Sequence, residues 1–190
     1  MPGAGPNSAP ITVDRASGLG PEAAARAARY AAFARCPADV LLLGHHQGDQ
    51  AETVLFNLLR GAGVAGAAAI PGERRAGQLC ILRPLLAVSR GEIEAWARVH
   101  GLAWITDESN EDTGLTRNFL RHDVLPLLAS RFPGVERNLA RAAANFAEAD
   151  ALLGELAELD WAMVAEGDSA RMRPLRTLSL PRLKNLLRYR

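Results

Sequence analysis

Residues 39–63 read DVLLLGHHQGDQAETVLFNLLRGAG, and the reading of this stretch decides the fold class. Asp39–Gly44 is a short, continuously apolar run, the pattern of a strand buried on both faces of a parallel sheet. A helix is expected from about Gln50 to Arg60. Its core face would carry Ala51, Val54, Leu55 and Leu58, and the opposite stripe Asp49, Glu52, Thr53, Phe56 and Arg60. A strand feeding a helix through a Gly/His linker is half of a βα unit. In open α/β sheets ligands bind at the carboxyl ends of the strands, so the side chains of residues 45–60 are site candidates.

Working outward, residues 1–12 read as a Pro/Gly/Ser leader, and Ile11–Asp14 as a first short strand. Ser17–Pro21 is a turn, and Pro21 suits a helix start. That helix should run to about Arg35, with an apolar stripe at Ala27, Tyr30, Ala31 and Ala34. Downstream, Gly61–Gly66 is a Gly/Ala loop, Pro71–Gly77 a polar and mobile segment, and Leu79–Leu82 a strand. Ser89-Arg90-Gly91-Glu92 has the form of a capping box opening a helix to about His100. Ala103–Thr106 is a short strand. After residue 107 the strands stop. Arg117–Val124 is helical, with Pro126 expected to break or kink it. Pro133-Gly134 precedes a long helix, Glu136–Trp161, with Leu139, Ala143, Phe146 and Leu153 inward, and Pro181–Tyr189 closes the chain as a helix. The fold class is therefore α/β, a partial parallel-sheet domain over 13–130, followed by a smaller, mainly helical segment over 131–190.

Composition bounds the function. The chain has 190 residues, 48% hydrophobic and 23% charged, with a net charge of +1. These values exclude wholesale disorder and low complexity. No apolar run approaches the ~18 residues of a membrane span, and the first residues lack the basic and apolar regions of a secretory signal. Two cysteines, Cys36 and Cys80, form neither a disulfide framework nor a metal-ligand spacing. A cytoplasmic setting is the expectation. Lys184 is the only lysine, so almost every cation is an arginine, suited to phosphate and carboxylate contacts. Residues 145–170 hold seven acidic and no basic side chains, and residues 171–190 seven basic and no acidic ones. These two segments can neutralise one another, or the second can present a basic face to nucleic acid. Trp96, Trp104 and Trp161 lie in apolar patterns and are expected to pack inside.

Three readings of residues 44–53 compete. Asp49 can cap the helix with Glu52 as its capping-box partner. His45, His46 and a carboxylate have the residue types of a zinc site, although adjacent histidines on a strand point to opposite faces. The third reading is a nucleotide-handling site, with a hard cation near Asp49 or Glu52 and an anion near Arg60. Elsewhere, Arg83 is held extended by Pro84, Asp107, Ser109 and Asn110 form an Asx-type turn or border a pocket, and Arg117 and Arg121 share a helix face. A salt bridge to Asp107, Asp112 or Asp123 competes with phosphate binding for those two arginines.

The stretch GHHQGDQAETVLFNLLRGAG resembles the signature of the tRNA(Ile)-lysidine synthetase family, HHxxDQAETxLxxLxRGSG. Four further segments fit in order. They are Glu22–Phe33, the Arg-Pro-Leu-Leu stretch Leu82–Leu86 with Ser89–Ile93, the turn Asp107–Asn110, and RNFLRHDVLPLL at Arg117–Leu128. The resemblance implies an N-type ATP pyrophosphatase with an adenine nucleotide alpha hydrolase-like sheet. It implies adenylation of the C2 carbonyl of the wobble cytidine of isoleucine tRNA, followed by displacement of AMP by lysine. ATP and Mg2+ are the implied cofactors, and isoleucine tRNA and lysine the partners. Asp49 and Arg60 are then expected as catalytic residues, Asp49 on the magnesium side and Arg60 toward the tRNA. His45, His46, Glu52, Arg83, Asp107, Asn110, Arg117 and Arg121 are expected to bind nucleotide or tRNA. Two departures stand out. The family's Ser-Gly-Gly-x-Asp-Ser phosphate motif does not occur, and Gly48 stands where the family often has a first aspartate. On that basis the chain is expected to be an internal part of the family's pattern, inactive alone and prone to self-association. A non-catalytic RNA-binding or interaction module and a tRNA thiolation enzyme are the alternatives; the second is disfavoured by the lack of paired cysteines.

Overall fold

The computed structural model describes residues 12–13, 18, 21–35, 37–104 and 116–189. The chain divides into two compact units, residues 1–43 with 73–82, and residues 44–72 with 83–190.

The first unit holds a three-stranded mixed sheet in the order β1-β3-β2. The expected strand after Pro37 forms as β1 (Val40–Leu42), but it is not buried on both faces, since Val40 and Leu42 are 49% and 64% exposed, and Leu79–Leu82 forms as β3. They pair in parallel, Leu41 opposite Ile81, and Ile81 is fully buried. The expectation of a mobile segment at Pro71–Gly77 is corrected: Glu73–Ala76 is strand β2, antiparallel to β3, with Glu73 opposite Leu82. The polar side chains misled because an edge strand has a water-facing side and needs no apolar run. Gly77 closes this hairpin at a φ of 62°, a conformation glycine adopts without a steric penalty.

Helix α1 (Pro21–Phe33) precedes the sheet in the chain. Its expected apolar stripe is off by a residue: Ala24 is buried, whereas Ala27, Ala31 and Ala34 are exposed. Alanine occupies seven of the thirteen positions here, on every side of the helix, so the hydrophobic period specifies the face weakly. Ala27, Tyr30 and Ala34 instead line a cleft of about 410 Å3 with Arg74, Ala76 and Leu79. The Ile11–Asp14 strand and Cys36 lie outside the described residues, apart from positions 12 and 13, which are not in a strand.

The second unit is helical. Helix α2 (Gln47–Leu59) starts three residues before expectation and buries Gly48, Gln50, Ala51, Glu52, Thr53 and Val54. Its first half is therefore buried around its circumference, including the face the sequence marks as polar. A one-turn helix, α3 (Val64–Ala67), occupies part of the expected Gly/Ala loop. Helix α4 (Arg90–Val99) opens on the Ser89/Glu92 capping box as expected. Trp96 and Trp104 are not core residues. They are 58% and 49% exposed. Helix α4 buries no residue, and the Trp96 ring instead stacks on His100 with centroids 3.9 Å apart. Ala103 and Trp104 are not in a strand, and residues 105–115 lie outside the described ones.

Pro126 does not end the helix it sits in. Helix α5 (Thr116–Phe119) runs into a π-helical turn, Leu120–Val124, and then α6 (Leu125–Arg131). The Leu125 N–H bonds the Leu120 carbonyl, five residues back. Proline offers no N–H and crowds the carbonyl of residue i−4, and a widened turn before it absorbs both defects. Helix α7 (Val135–Val164) follows Gly134, whose φ is 82°. After the one-turn helix α8 (Met172–Leu175), the closing helix α9 (Leu180–Tyr189) packs on α7 around Ala157, Val164 and Leu186, with Trp161 and Tyr189 partly buried against them. The fully buried Asp160 carboxylate accepts from Arg182, so one acidic and one basic residue of the two oppositely charged segments do pair. Asn185 donates to the Leu153 carbonyl at 2.8 Å.

Candidate functional site

The start of α2 is capped by His46, one turn before the expected Asp49. His46 Nδ1 accepts the Gly48 N–H at 3.1 Å, and Asp49 Oδ2 accepts the His46 N–H at 2.9 Å. Asp49 is thus the third-position partner of a capping box rather than the cap. Gly48 has a local reason to be glycine: a Cβ there would lie 2.9 Å from His46 Cε1.

One turn into α2, Glu52 is 5% exposed. Arg121, from the π turn, reaches it with Nε at 2.5 Å from Oε1 and Nη2 at 3.0 Å from Oε2. The same Nη2 lies 3.2 Å from Asp49 Oδ1. His46, Asp49, Glu52 and Arg121 therefore form one cluster, and among the described residues the carboxylate partners of Arg121 lie some seventy positions away. Burial pushes the Glu52 carboxyl above its ordinary range, against the pull of Arg121. Burial also works against the Arg121 charge, but the hydrogen bond and charge of Glu52 outweigh it and raise the guanidinium further. The pair is asymmetric: the arginine gains from it, while the carboxylate pays in lost hydration.

A second contact lies one turn along both helices. Arg117 stands 5.7 Å from the centroid of the Phe56 ring, and Arg60, the C-cap of α2, stands 5.0 Å from it. Glu52 and Phe56 are i,i+4 on α2, and Arg121 and Arg117 are i,i+4 in the facing segment, so the two contacts form successive rungs between antiparallel helices. Phe56, Leu59 and Arg60 line a cleft of about 340 Å3 with Thr116 and Leu120. Phe56 was legible as part of the stripe but not as a site residue. Its spacing of four from both Glu52 and Arg60 is the signal that marks it.

The remaining candidates sit apart from this ladder. His45 is half-buried in the linker before the cap. Arg83 is 5% exposed, and its Nη1 donates to the Pro71 carbonyl at 2.7 Å, while its Nε finds no acceptor among the described residues. Asp107 and Asn110 lie outside the described residues. The zinc reading of His45, His46 and a carboxylate finds no such group among the described residues. Both Asp49 oxygens face N–H donors, and among the described residues no three His, Cys, Asp or Glu side chains converge to hold a metal.

A family model described as a PP-loop domain matches residues 7–128. The chain belongs to the PP-loop domain family. Among curated relatives of this PP-loop chain, the tRNA(Ile)-lysidine synthase of Pseudomonas putida is 47% identical over 94% of the chain and 44% of its own length. That of Aromatoleum aromaticum is 51% identical over 95% of the chain and 42% of its own length. That of Burkholderia pseudomallei is 48% identical over 96% and 39%. The PP-loop chain thus spans less than half the length of these relatives. Among solved structures, the U34-tRNA thiolase NcsA of Methanococcus maripaludis overlays at a TM-score of 0.46 and 19% identity, over 63% of this chain and 39% of that one.

The raised Glu52 carboxyl makes a pH prediction. A group whose pKa is higher folded than unfolded binds protons preferentially in the fold, so its stabilising contribution is full below the unfolded value and is lost as pH rises through the folded one. Glu52→Gln removes that titration. The stability of the parent chain relative to Glu52→Gln should therefore fall as pH rises upward from about the ordinary glutamate value of 4.5. Urea unfolding of both chains at several pH values measures it; a relative stability that rises with pH over that interval contradicts the assignment.

Proposed function

We propose that this chain carries part of a lysidine-forming centre, one that ligates lysine to C2 of the wobble cytidine of isoleucine tRNA at the expense of ATP. The observation that supports the reading best is the ladder. It joins the two most specific sequence segments, residues 45–63 and 117–128, through Glu52–Arg121 and Phe56–Arg117 into one site. The similarity to the lysidine synthases of three bacteria supports the substrate assignment.

In this reading the cytidine C2 oxygen attacks the α-phosphorus of ATP and pyrophosphate leaves. A lysine amine then attacks C2, and AMP departs with the oxygen. The two ends of the ladder suit these steps differently. Asp49 and Glu52 set two carboxylates against one guanidinium, an acidic surplus that attracts the ammonium of lysine and can take up the proton its amine must lose. Arg60 and Arg117 flank Phe56 at the other end. Arg60 lies over the Phe56 ring, and a guanidinium so placed keeps its in-plane N–H donors available for phosphate oxygens, so this end faces the tRNA backbone or the adenylate. Asp49 and Arg60 lie eleven residues apart on α2, ~16 Å along the axis, too far to serve one phosphate. Mg2+ is proposed alongside ATP: it would be held by substrate phosphates with one or two carboxylates, Asp49 being the residue on that side, and would neutralise charge on the phosphates. Such a reaction belongs in the cytoplasm, where tRNA and ATP are.

Binding measurements test the division. Arg60→Ala should weaken binding of an isoleucine tRNA transcript several-fold, because one preplaced phosphate contact is lost. Asp49→Asn should leave tRNA affinity unchanged and weaken capture of lysine. Filter binding and equilibrium dialysis read the two. Equal tRNA affinity in Arg60→Ala and the parent, or no tRNA binding by the parent, would falsify the reading.

A further inference from the structure

A cleft of about 790 Å3 in the helical unit lies on a different face of α2 from the Asp49–Glu52–Arg121 cluster. Its volume is that of a ligand pocket. Gln47 and Gln50 line it, while Asp49 and Glu52 turn to Arg121.

One wall, residues 65–72, is held in shape by side chains. The Gln50 amide bonds both sides of Ile70, donating to its carbonyl at 3.1 Å and accepting its N–H at 2.9 Å. Asn57 donates to the Gly66 carbonyl and Arg83 to the Pro71 carbonyl, each at 2.7 Å. Among these tethers Ala69 is held at a φ of 57°. A left-handed alanine is strained, persists only where its surroundings impose it, and such strain concentrates at ligand sites. The other wall is the alanine face of α7, a smooth surface of small side chains that leaves room for a flat group. At one end Arg137 and Arg141 stand one helical turn apart, both exposed, with Arg141 Nη2 on Asn138 Oδ1 at 3.1 Å.

We propose that this cleft takes one unpaired nucleotide of an RNA strand, its base between the alanine walls and its flanking phosphates on Arg137 and Arg141. The apolar walls suit a planar base and Arg137 and Arg141 suit an anion, while Asp150 also lines the cleft and the Glu92 carboxylate interacts with Arg137. The two arginines are exposed, where a single ion pair contributes little. A chain that engages both through successive phosphates, with base burial added, gains what a free mononucleotide cannot. A paired base enters the slot only at the added cost of unstacking and unpairing, about a few kcal/mol, so an unpaired one is favoured. The inference rests on the reading of RNA as the partner and adds a second contact region to it.

Two variants of the chain test it, Arg137→Ala/Arg141→Ala and Ala144→Trp, the latter filling the slot from an exposed helix position. The probes are an isoleucine tRNA transcript, with unpaired nucleotides, and a fully paired RNA duplex of the same length. The double variant should bind the transcript roughly tenfold more weakly and lower the slope of log affinity against log salt by about one to two. Ala144→Trp should weaken the transcript and leave the duplex unchanged. Transcript binding unchanged in both variants, with helical content preserved by circular dichroism, overturns this inference and leaves the lysidine reading standing. Competition by millimolar AMP that displaces the transcript from the parent but not from Ala144→Trp also overturns it, because the occupant would be a free nucleotide. A parent chain that binds no RNA overturns both readings.

Discussion

Replacing Arg121 with alanine is expected to lower the folding stability of the chain by about 3 kcal/mol, the lower end of what breaking a buried ion pair costs. The loss comes less from the missing attraction than from what stays behind. Glu52 is 5% exposed and keeps a charge that water cannot reach, and Asp49 loses the donor at its Oδ1. Arg121 itself is part-exposed, with 27% of its side-chain surface open, which places the effect at the low end of the range. The double variant Arg121→Ala/Glu52→Gln should recover part of the loss, because the stranded charge is gone. The deficit of the single variant should also shrink in acid, where Glu52 takes up a proton. Urea unfolding monitored by circular dichroism gives both numbers. A loss below about 1 kcal/mol, the value of a surface pair, would mean that Glu52 finds water or another donor when Arg121 is removed.

Leu186→Ala should cost about 3 kcal/mol, whereas Leu187→Ala should change stability by less than ~0.5 kcal/mol. The two leucines are neighbours in α9, yet Leu186 is 2% exposed and Leu187 is 72% exposed. Leu186 meets Ala157 and Val164 of α7, small side chains that cannot swing into the space a truncation leaves. Their removal from water, not their identity, sets the difference. Thermal or denaturant unfolding of the two variants side by side decides it, and equal losses would show that α9 does not hold this face against α7.

Where a residue's role depends on its chain neighbours, the sequence carried it. The Ser89/Glu92 capping box and the long helix after Gly134 formed as read, because each is specified within one or two turns, while the apolar run at Val40–Leu42 formed a strand but not one buried on both faces. Segment order and motif spacing were enough for the PP-loop family. The failures share a cause. The α1 stripe shifted because a run of alanines offers several equivalent faces. Trp96 and Trp104 read as core because an apolar pattern records what a helix could bury, and α4 buries nothing. Glu73–Ala76 read as a loop because an edge strand is stabilised by β3, a partner elsewhere in the chain.

By itself the sequence determined the longer helices, the family and the chemical types at the candidate site: carboxylates at residues 49 and 52, arginines at 60, 117 and 121. These follow from periods and motifs that act over a few residues. Only the tertiary structure decided which of them meet. Nothing in local spacing pairs Glu52 with Arg121 rather than Arg121 with Asp123, since charge attraction is non-specific at the level of sequence. That choice was made by the packing of α2 against the α5–π segment, where Pro126 is accommodated by a widened turn. Burial then fixed the consequence, because a carboxylate removed from water must keep its cation or take up a proton.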